Sequence, residues 1–155
     1  MKILYEELLN SVSDWIWAVD ANGVYVYSSE NVVSYLGYSA NEVIGKTPFD
    51  FMSEREATRV GEIFASYAAN KEKIIELENT HLNKNGEEIV VLTTGIPIFN
   101  ESGDLTGYQG FDRDLTEQEK LQKKLLKNIE IQNNAFNALL RKYPDGALIM
   151  QNNHF

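Results

Sequence analysis

Few side chains in this sequence have the types and spacing that catalysis or metal binding requires. The chain contains two histidines and no cysteine, which excludes thiolate catalysis, disulfides and cysteine-based metal sites. His81 and His154 are separated by much of the chain, and no Ser-His-Asp grouping is indicated. Residues 45–47, Gly-Lys-Thr, look like the end of a Walker A motif, but the preceding glycine, Gly37, is too distant. The sequence therefore predicts a binding protein and not an enzyme.

Composition and charge narrow the class of partner. Hydrophobic residues make up 43% of the chain and charged residues 24%, as in soluble globular proteins. The net charge of -9 argues against a nucleic-acid partner, because neutralising phosphates requires clustered Lys and Arg. No apolar run approaches the roughly 18 residues of a membrane span, and the N-terminus lacks a signal-peptide core. We expect a cytoplasmic domain with no membrane contact of its own.

The spacing of apolar residues predicts an α+β fold. Residues 1–12 form an amphipathic helix with Leu4, Leu8 and Val12 on its apolar face. Helical patterns then occupy the segment between residues 39 and 69. Strands are predicted at residues 15–19, 24–27, 77–82, 89–99 and 105–111. The predicted architecture is a five-stranded antiparallel sheet with short helices packed on one face, flanked by an N-terminal helix and a long C-terminal helix.

Three capping boxes of the S/T-x-x-E type predict helix starts, at residues 39–42, 53–56 and 116–119. The third places a long helix, 116–143, directly after the last strand, with no flexible linker. Its apolar residues fall on a heptad-like spacing with glutamines at the remaining seam positions: Leu115, Leu125, Ile129, Phe136 and Leu139, with Gln118, Gln122 and Gln132. This spacing predicts a homodimer through the terminal helices, as a parallel coiled coil. An amphipathic helix packed on its own domain is the alternative.

Four segments, in this order and at this spacing, together resemble the PAS domain family with its C-terminal PAC portion. They are DWIWAVDANG (14–23), LGYSANEVIGK (36–46), NKNG (83–86) and GYQGFDRDLT (107–116). Asp114-Leu115-Thr116 occupies the place of the family's Asp-Ile-Thr signature, where the signalling helix begins. The resemblance implies a sensor or interaction module, usually upstream of a histidine kinase, cyclase or phosphodiesterase, and an output domain elsewhere in the same protein.

The resemblance and the periodicity divide the chain into four parts. These are an N-terminal helix (1–12), a PAS domain (13–115), a signalling helix (116–143) and the truncated start of a second PAS domain (144–155). The last assignment rests on an ungapped match of residues 139–150 to residues 8–19, which places Asp145 on Asp14. A chance match is the alternative.

PAS domains that bind ligands do so between the concave sheet face and the helices, and strand alternation predicts which side chains point there. The candidate site residues are Trp15, Trp17, Val19, Tyr35, Phe49, Phe51, Met52, Phe64, His81, Val91, Thr93, Tyr108 and Asp112. They form an apolar, aromatic cup with a few polar groups, as small-ligand sites do. A filled core without a ligand is the alternative, and His81 is then a structural histidine.

The resemblance also bears on cofactors and on the output of the site. Pro48 stands where photochemical flavin domains have a cysteine, so cysteine-linked flavin is excluded, as is a coumaroyl chromophore. Haem is disfavoured because residues 54–71 contain no histidine. Non-covalent flavin stays open, and the cofactor, if any, is unknown. Asp112, Asp114, Leu115 and Thr116 are the predicted signal relay from the cup to the helix.

Overall fold

Five antiparallel strands and several short helices build the architecture predicted from the sequence. The computed structural model describes residues 2–143, with side chains described from residue 7 onward. The elements are α1 (Lys2–Ser11), β1 (Trp15–Asp20), β2 (Tyr25–Ser28), α2 (Val32–Leu36), α3 (Ala40–Val43), a 3-10 helix (Pro48–Phe51), α4 (Glu54–Ala69), β3 (Ile74–Leu82), β4 (Glu88–Phe99), β5 (Leu105–Asp114) and α5 (Thr116–Lys142). The strand order is β2-β1-β5-β4-β3, and every pair is antiparallel. The predicted fold class is confirmed.

The central strands β1 and β5 carry the middle of the core. Trp15, Trp17 and Val19 alternate with less buried residues along β1 and all face the helices, because side chains alternate across a strand. Their pairing with β5 is regular from Trp15 opposite Asp112 to Asp20 opposite Gly107. This register fixes which side chains of the two strands share the inner face.

Only one of the three predicted capping boxes forms. Ser39 and Glu42 exchange both bonds at the start of α3. At α4, Ser53 accepts the Glu56 N–H, but the Glu56 carboxylate turns to Arg59 and to the Thr80 N–H of the edge strand β3. Glu56 therefore satisfies the Thr80 N–H at the edge of the sheet. An unpaired N–H there could pair with a strand of another chain.

The predicted box at residues 116–119 is wrong. The Thr116 hydroxyl accepts the Val90 N–H of β4 at 3.0 Å, and the Thr116 N–H donates to the Asp114 carboxylate at 2.8 Å. The first residue of α5 is thus capped by Asp114 and tied to the sheet. The Thr116 side chain therefore accepts a hydrogen bond from β4 and does not form the capping box that the local motif predicts.

The chain divides into one unit that ends at Thr116 and a second that begins at Glu117. None of the described residues of α5 is buried, and its large apolar side chains are exposed. The predicted coiled coil stays a prediction, and the predicted start of a second domain at 144–155 lies outside the described residues. Among the helices that the structure describes, none has the length and apolar content needed to cross a membrane.

Close strand packing makes Gly110 a test of the register. A Cβ there would collide with the Thr94 carbonyl oxygen and lie 2.7 Å from the Gly95 Cα. We expect Gly110→Ala to lower the free energy of unfolding by at least about 2 kcal/mol, measured by urea denaturation. Gly61→Ala on α4 is the matched control: its Cβ would lie 3.7 Å from the Phe49 ring, and the better helix propensity should stabilise by about 0.5–1 kcal/mol. Wild-type stability in Gly110→Ala would contradict the register.

Candidate functional site

A chain of polar side chains crosses the inner face of the sheet. The Asp112 carboxylate accepts the Trp17 indole N–H at 3.0 Å and the Thr93 hydroxyl at 2.8 Å, both on Oδ1. Thr93 in turn accepts the Asn79 side-chain N–H at 2.8 Å. The chain therefore joins β3, β4, β5 and β1 through side chains alone.

Strand register brings these four residues together. Thr93 is directly opposite Asp112, and Asn79 is opposite Val91, the inward residue two before Thr93. Side chains two apart on a strand share a face, so Asn79, Thr93 and Asp112 line up across three adjacent strands. Trp17 reaches Asp112 diagonally, since its own partner in β5 is Gly110, which has no side chain in the way.

Burial shifts the pKa of Asp112 and the pKa of His81 in opposite directions. Burial raises the pKa of Asp112 to about 7, although the hydrogen bonds from Thr93 and Trp17 work against the shift. Burial also lowers the pKa of His81 to about 4, opposed by the Glu56 carboxylate. His81 is therefore neutral at pH 7.

Two buried polar atoms of this face have no hydrogen-bond partner. They are Asn79 Oδ1 and His81 Nδ1, on side chains that are only 3% and 1% exposed. An unsatisfied buried polar group costs about 1–3 kcal/mol, so most buried polar groups in proteins are paired. Both residues are on the inner face of β3 and line the cavity described next.

A cavity lies between the sheet and the helices at this place. Its volume is about 50 Å³, room for a few water molecules and well below the roughly 300–1,000 Å³ of drug-sized ligand pockets. A flavin or a haem would not fit unless the walls moved. The residues that line it are Trp17, Val19, Gly23, Tyr25, Pro48, Phe49, Met52, Val60, Phe64, Ile74, Leu77, Asn79, His81, Thr93 and Asp112.

The structure divides the predicted site residues into two groups. Those that line the cavity are Trp17, Val19, Phe49, Met52, Phe64, His81, Thr93 and Asp112. The others are buried without lining it: Trp15, Tyr35, Phe51, Val91 and Tyr108. Strand alternation alone selects the inner face; it does not determine which inward side chains reach the cavity.

The buried residues outside the cavity have partners of their own. The Trp15 indole N–H donates to the Ser28 hydroxyl at 2.9 Å, and its ring meets His81 edge-on. The Tyr108 hydroxyl donates to the Glu72 carbonyl at 2.9 Å. Phe51 packs against the ring of Tyr25. These residues are therefore packed in the core outside the cavity lining.

The Tyr35 hydroxyl links the segment before β1 to the end of β5. Its hydroxyl donates to the Ser13 carbonyl before β1 and accepts the Asp114 N–H at the end of β5, each at 3.3 Å. The Arg113 guanidinium forms an ion pair with Asp14 at 3.1 Å beside it. One tyrosine therefore links the segment that enters the sheet to the segment that leaves it.

The predicted relay residues are anchored to β4 as well. The Leu115 N–H donates to the Val90 carbonyl at 2.8 Å, and Val90 N–H returns a bond to Thr116. These bonds join the end of β5 and the start of α5 to β4.

Seven lining residues were not among the predicted site residues: Gly23, Tyr25, Pro48, Val60, Ile74, Leu77 and Asn79. Asn79 shares the inner face of β3 with His81, so the alternation that selected His81 could have selected Asn79 as well. Tyr25 begins the short β2, where four residues give too little pattern to orient the strand. Within residues 2–143, no three His, Asp or Glu side chains are placed to hold a metal ion.

The opposite pKa shifts predict an unusual dependence of stability on pH. Asp112, whose pKa rises from 3.8 to about 7 on folding, contributes stability below about pH 4 that is lost as the pH rises through 7. His81, whose pKa falls from 6.5 to about 4, contributes stability above pH 6.5 that is lost as the pH falls through 4. Between these limits the two effects offset each other in the wild type.

Asp112→Asn keeps an oxygen for Trp17 and Thr93 but removes the titration. We expect its free energy of unfolding, relative to the wild type, to rise by a few kcal/mol between pH 4 and 7, measured by urea denaturation at each pH. Glu62→Gln, an exposed carboxylate on α4, controls for the loss of one negative charge. Parallel wild-type and Asp112→Asn profiles would show that Asp112 titrates as an ordinary carboxylate.

Comparison with known proteins agrees with this fold. The sequence profile of the family described as PAS fold matches residues 9–120, and no curated protein sequence is significantly similar to the chain. Among solved structures, an RNA-binding light-oxygen-voltage receptor superposes with a TM-score of 0.71 at 20% identity, over 84% of this chain. The chain spans 37% of that receptor.

Two further structures come from bacterial signalling proteins. The N-terminal domain of a diguanylate cyclase with a PAS/PAC sensor from Marinobacter aquaeolei has a TM-score of 0.62 at 13% identity, covering 68% of this chain and 98% of its own. A sensory box histidine kinase/response regulator from Burkholderia thailandensis has a TM-score of 0.64 at 15% identity, covering 84% and 98%. Identities this low show the shared fold alone. The profile match covers most of the chain, and the chain belongs to the PAS fold family.

Proposed function

We propose that the chain is a non-catalytic sensor module of a multidomain signal-transduction protein, of the histidine kinase or cyclic-di-nucleotide enzyme class. It binds a small molecule in the core cavity and relays binding through α5. The observation that carries this proposal is the pair of unpartnered acceptor-capable atoms, Asn79 Oδ1 and His81 Nδ1, on a cavity that Asp112 also lines. The diguanylate cyclase and histidine kinase structures with the same fold support the class of output.

The relay runs along β5. A guest that changes the hydrogen bonding of Asp112 acts on a strand that ends two residues later, at Asp114. The Asp114 N–H donates to the Tyr35 hydroxyl, and the Asp114 carboxylate accepts the first N–H of α5. Two positions of this strand end, favoured differently by the empty and the occupied cavity, would give the two-state switch.

The exposed apolar residues of the terminal helices support homodimerisation. Leu125, Ile129, Phe136 and Leu139 are between 44% and 60% exposed in the single chain, which suits a coiled-coil seam. Leu9 of α1 and Val12, just after its end, line an open groove of about 690 Å³ on the outer sheet face, so α1 is proposed to join the interface. The PAC portion, a second domain from residue 144 and a cytoplasmic location belong to the same proposal.

A dimerisation or spacer module with no ligand is the competing function. The small volume of the cavity, about 50 Å³, favours it, because most of the core is already filled by side chains. A redox or gas sensor with non-covalent flavin or haem is a further alternative, and the same volume disfavours it.

Native mass spectrometry of protein purified from cells separates the sensor from the spacer. We expect a bound small molecule in the wild type that is lost in Trp17→Phe, which removes the indole N–H held by Asp112. Trp15→Phe is the matched control, since the Trp15 indole bonds to Ser28 away from the cavity. An apo mass for all three proteins, with a strong dimer, would favour the spacer.

The relay is tested by Asp114→Ala in a fusion of the chain to a histidine kinase output. The exposed Asp114 side chain caps α5 and is outside the core, so we expect a loss of about 1 kcal/mol of stability at most and at least a tenfold weaker output response. Glu117→Ala, which removes an exposed carboxylate three residues further along the chain, is the control. An unchanged response of Asp114→Ala would remove this residue from the relay.

A further inference from the structure

The hydrogen-bond donors of Trp17, Thr93 and Asn79 on the inner sheet face are already occupied, whereas the Asn79 side-chain oxygen has no partner. The Trp17 indole N–H and the Thr93 hydroxyl both donate to Asp112. Both amide hydrogens of Asn79 are used, one by Thr93 at 2.8 Å and one by the Leu77 carbonyl at 3.0 Å. The Asn79 amide is therefore fixed in orientation, with its oxygen left over.

A guest that pairs with Asn79 must accordingly donate a hydrogen bond. Asn79 Oδ1 can only accept a hydrogen bond, and Asn79 is only 3% exposed. His81 is neutral because burial lowers its pKa to about 4, so its ring offers one acceptor and one donor. The Asp112 carboxyl adds further acceptor capacity beside them.

The other residues that line the cavity restrict the charge of a guest, and the cavity volume restricts its size. No Lys or Arg is among the residues that line the cavity, and Asp112 is its acidic group, so an anion would find repulsion and no counter-charge. A cation would have to lose its water among apolar side chains such as Val60, Phe64 and Leu77, which is costly. A volume of about 50 Å³ holds about four non-hydrogen atoms, at roughly 10–15 Å³ for each water-sized centre.

We propose that the cavity binds a small neutral molecule, or a neutral group of that size on a larger one, that presents an N–H or O–H donor to Asn79 Oδ1 and His81 and an apolar part to the helices. The primary amide is the simplest member of this class. The inference rests on the proposed function, since it names the ligand class of the same cavity.

Four probes of equal size and similar planar shape test the class: acetamide, acetone, acetate and acetamidinium. Acetone lacks the donor, acetate carries a negative charge, and acetamidinium has donors with a positive charge. Each is titrated into the full chain at pH 7.5 and followed by the indole N–H resonances in ¹H–¹⁵N spectra. The chain has two tryptophans, and Trp17 reports on the cavity while Trp15, bonded to Ser28, is the internal control.

We expect acetamide to shift the Trp17 resonance with a millimolar dissociation constant and to shift that of Trp15, which contacts His81 but does not line the cavity, much less. The other three probes should bind at least tenfold more weakly. Asn79→Leu, which keeps the volume but removes the acceptor, should weaken acetamide at least tenfold, and Asn128→Leu on the exposed part of α5 should not. The probe series in the wild type is decisive even if Asn79→Leu fails to fold.

Each contrary outcome has a separate meaning. Acetone binding as tightly as acetamide would overturn the need for a donor, and tighter binding of acetate or acetamidinium would overturn neutrality. If no probe moves Trp17 while protein from cells carries a bound mass, the ligand class is wrong and the sensor function stands. If no probe binds and the protein from cells is also apo, the sensor function fails with it.

Discussion

The buried carboxyl of Asp112 is the group on which the inner face of the sheet depends. A carboxylate without water is costly unless hydrogen bonds replace its solvation, and here Trp17 and Thr93 supply them from the strands on either side. Thr93 can serve Asp112 because Asn79 donates to it in turn. Satisfying one buried group thus fixes side chains on four strands, and it consumes the donors that a ligand might otherwise have used.

This arrangement leaves a small, mainly apolar cavity beside two unpartnered polar atoms in an otherwise filled core. The surplus acceptors of Asn79 and His81 are a cost to the folded protein, and a packed apolar core would avoid it. Such a cost is tolerated where a bound molecule offsets it, which is the physical case for a sensor over a spacer. Because Asp112 lies close to the end of β5, the same group connects the cavity to the start of α5 through Asp114 and Thr116.

The sequence predicted much of this because its strand patterns are strong. Alternation in β1, β4 and β5 was sufficient to turn Trp17, Thr93 and Asp112 inward, and the fold class followed from the order of elements. Tyr35 is buried but does not line the cavity, and α2, with five residues, is too short for a pattern to define which of its faces points there. The Thr116 hydroxyl was assigned to a capping box of α5 because nothing local reveals that the N–H of Val90, 26 residues earlier in the chain, would donate to it.

The volume of the cavity could not be predicted at all, since it depends on how closely Phe49, Met52 and Phe64 approach the sheet. That approach is set by the path of the segment between β2 and β3, whose short helices are positioned by tertiary contacts. Sequence reasoning therefore found the polar face of the site but left open whether a large cofactor or a small molecule occupies it.

The most direct measurement is a high-resolution crystal structure of the chain purified from cells without refolding. If the cavity binds a small molecule, we expect ordered non-protein density in it, within hydrogen-bond distance of Asn79 Oδ1 and His81 Nδ1. Asp112 should still be bonded to Trp17 and Thr93. An empty cavity, with the Asn79 amide and the His81 ring turned to protein partners that satisfy them, would contradict the binding of a small molecule.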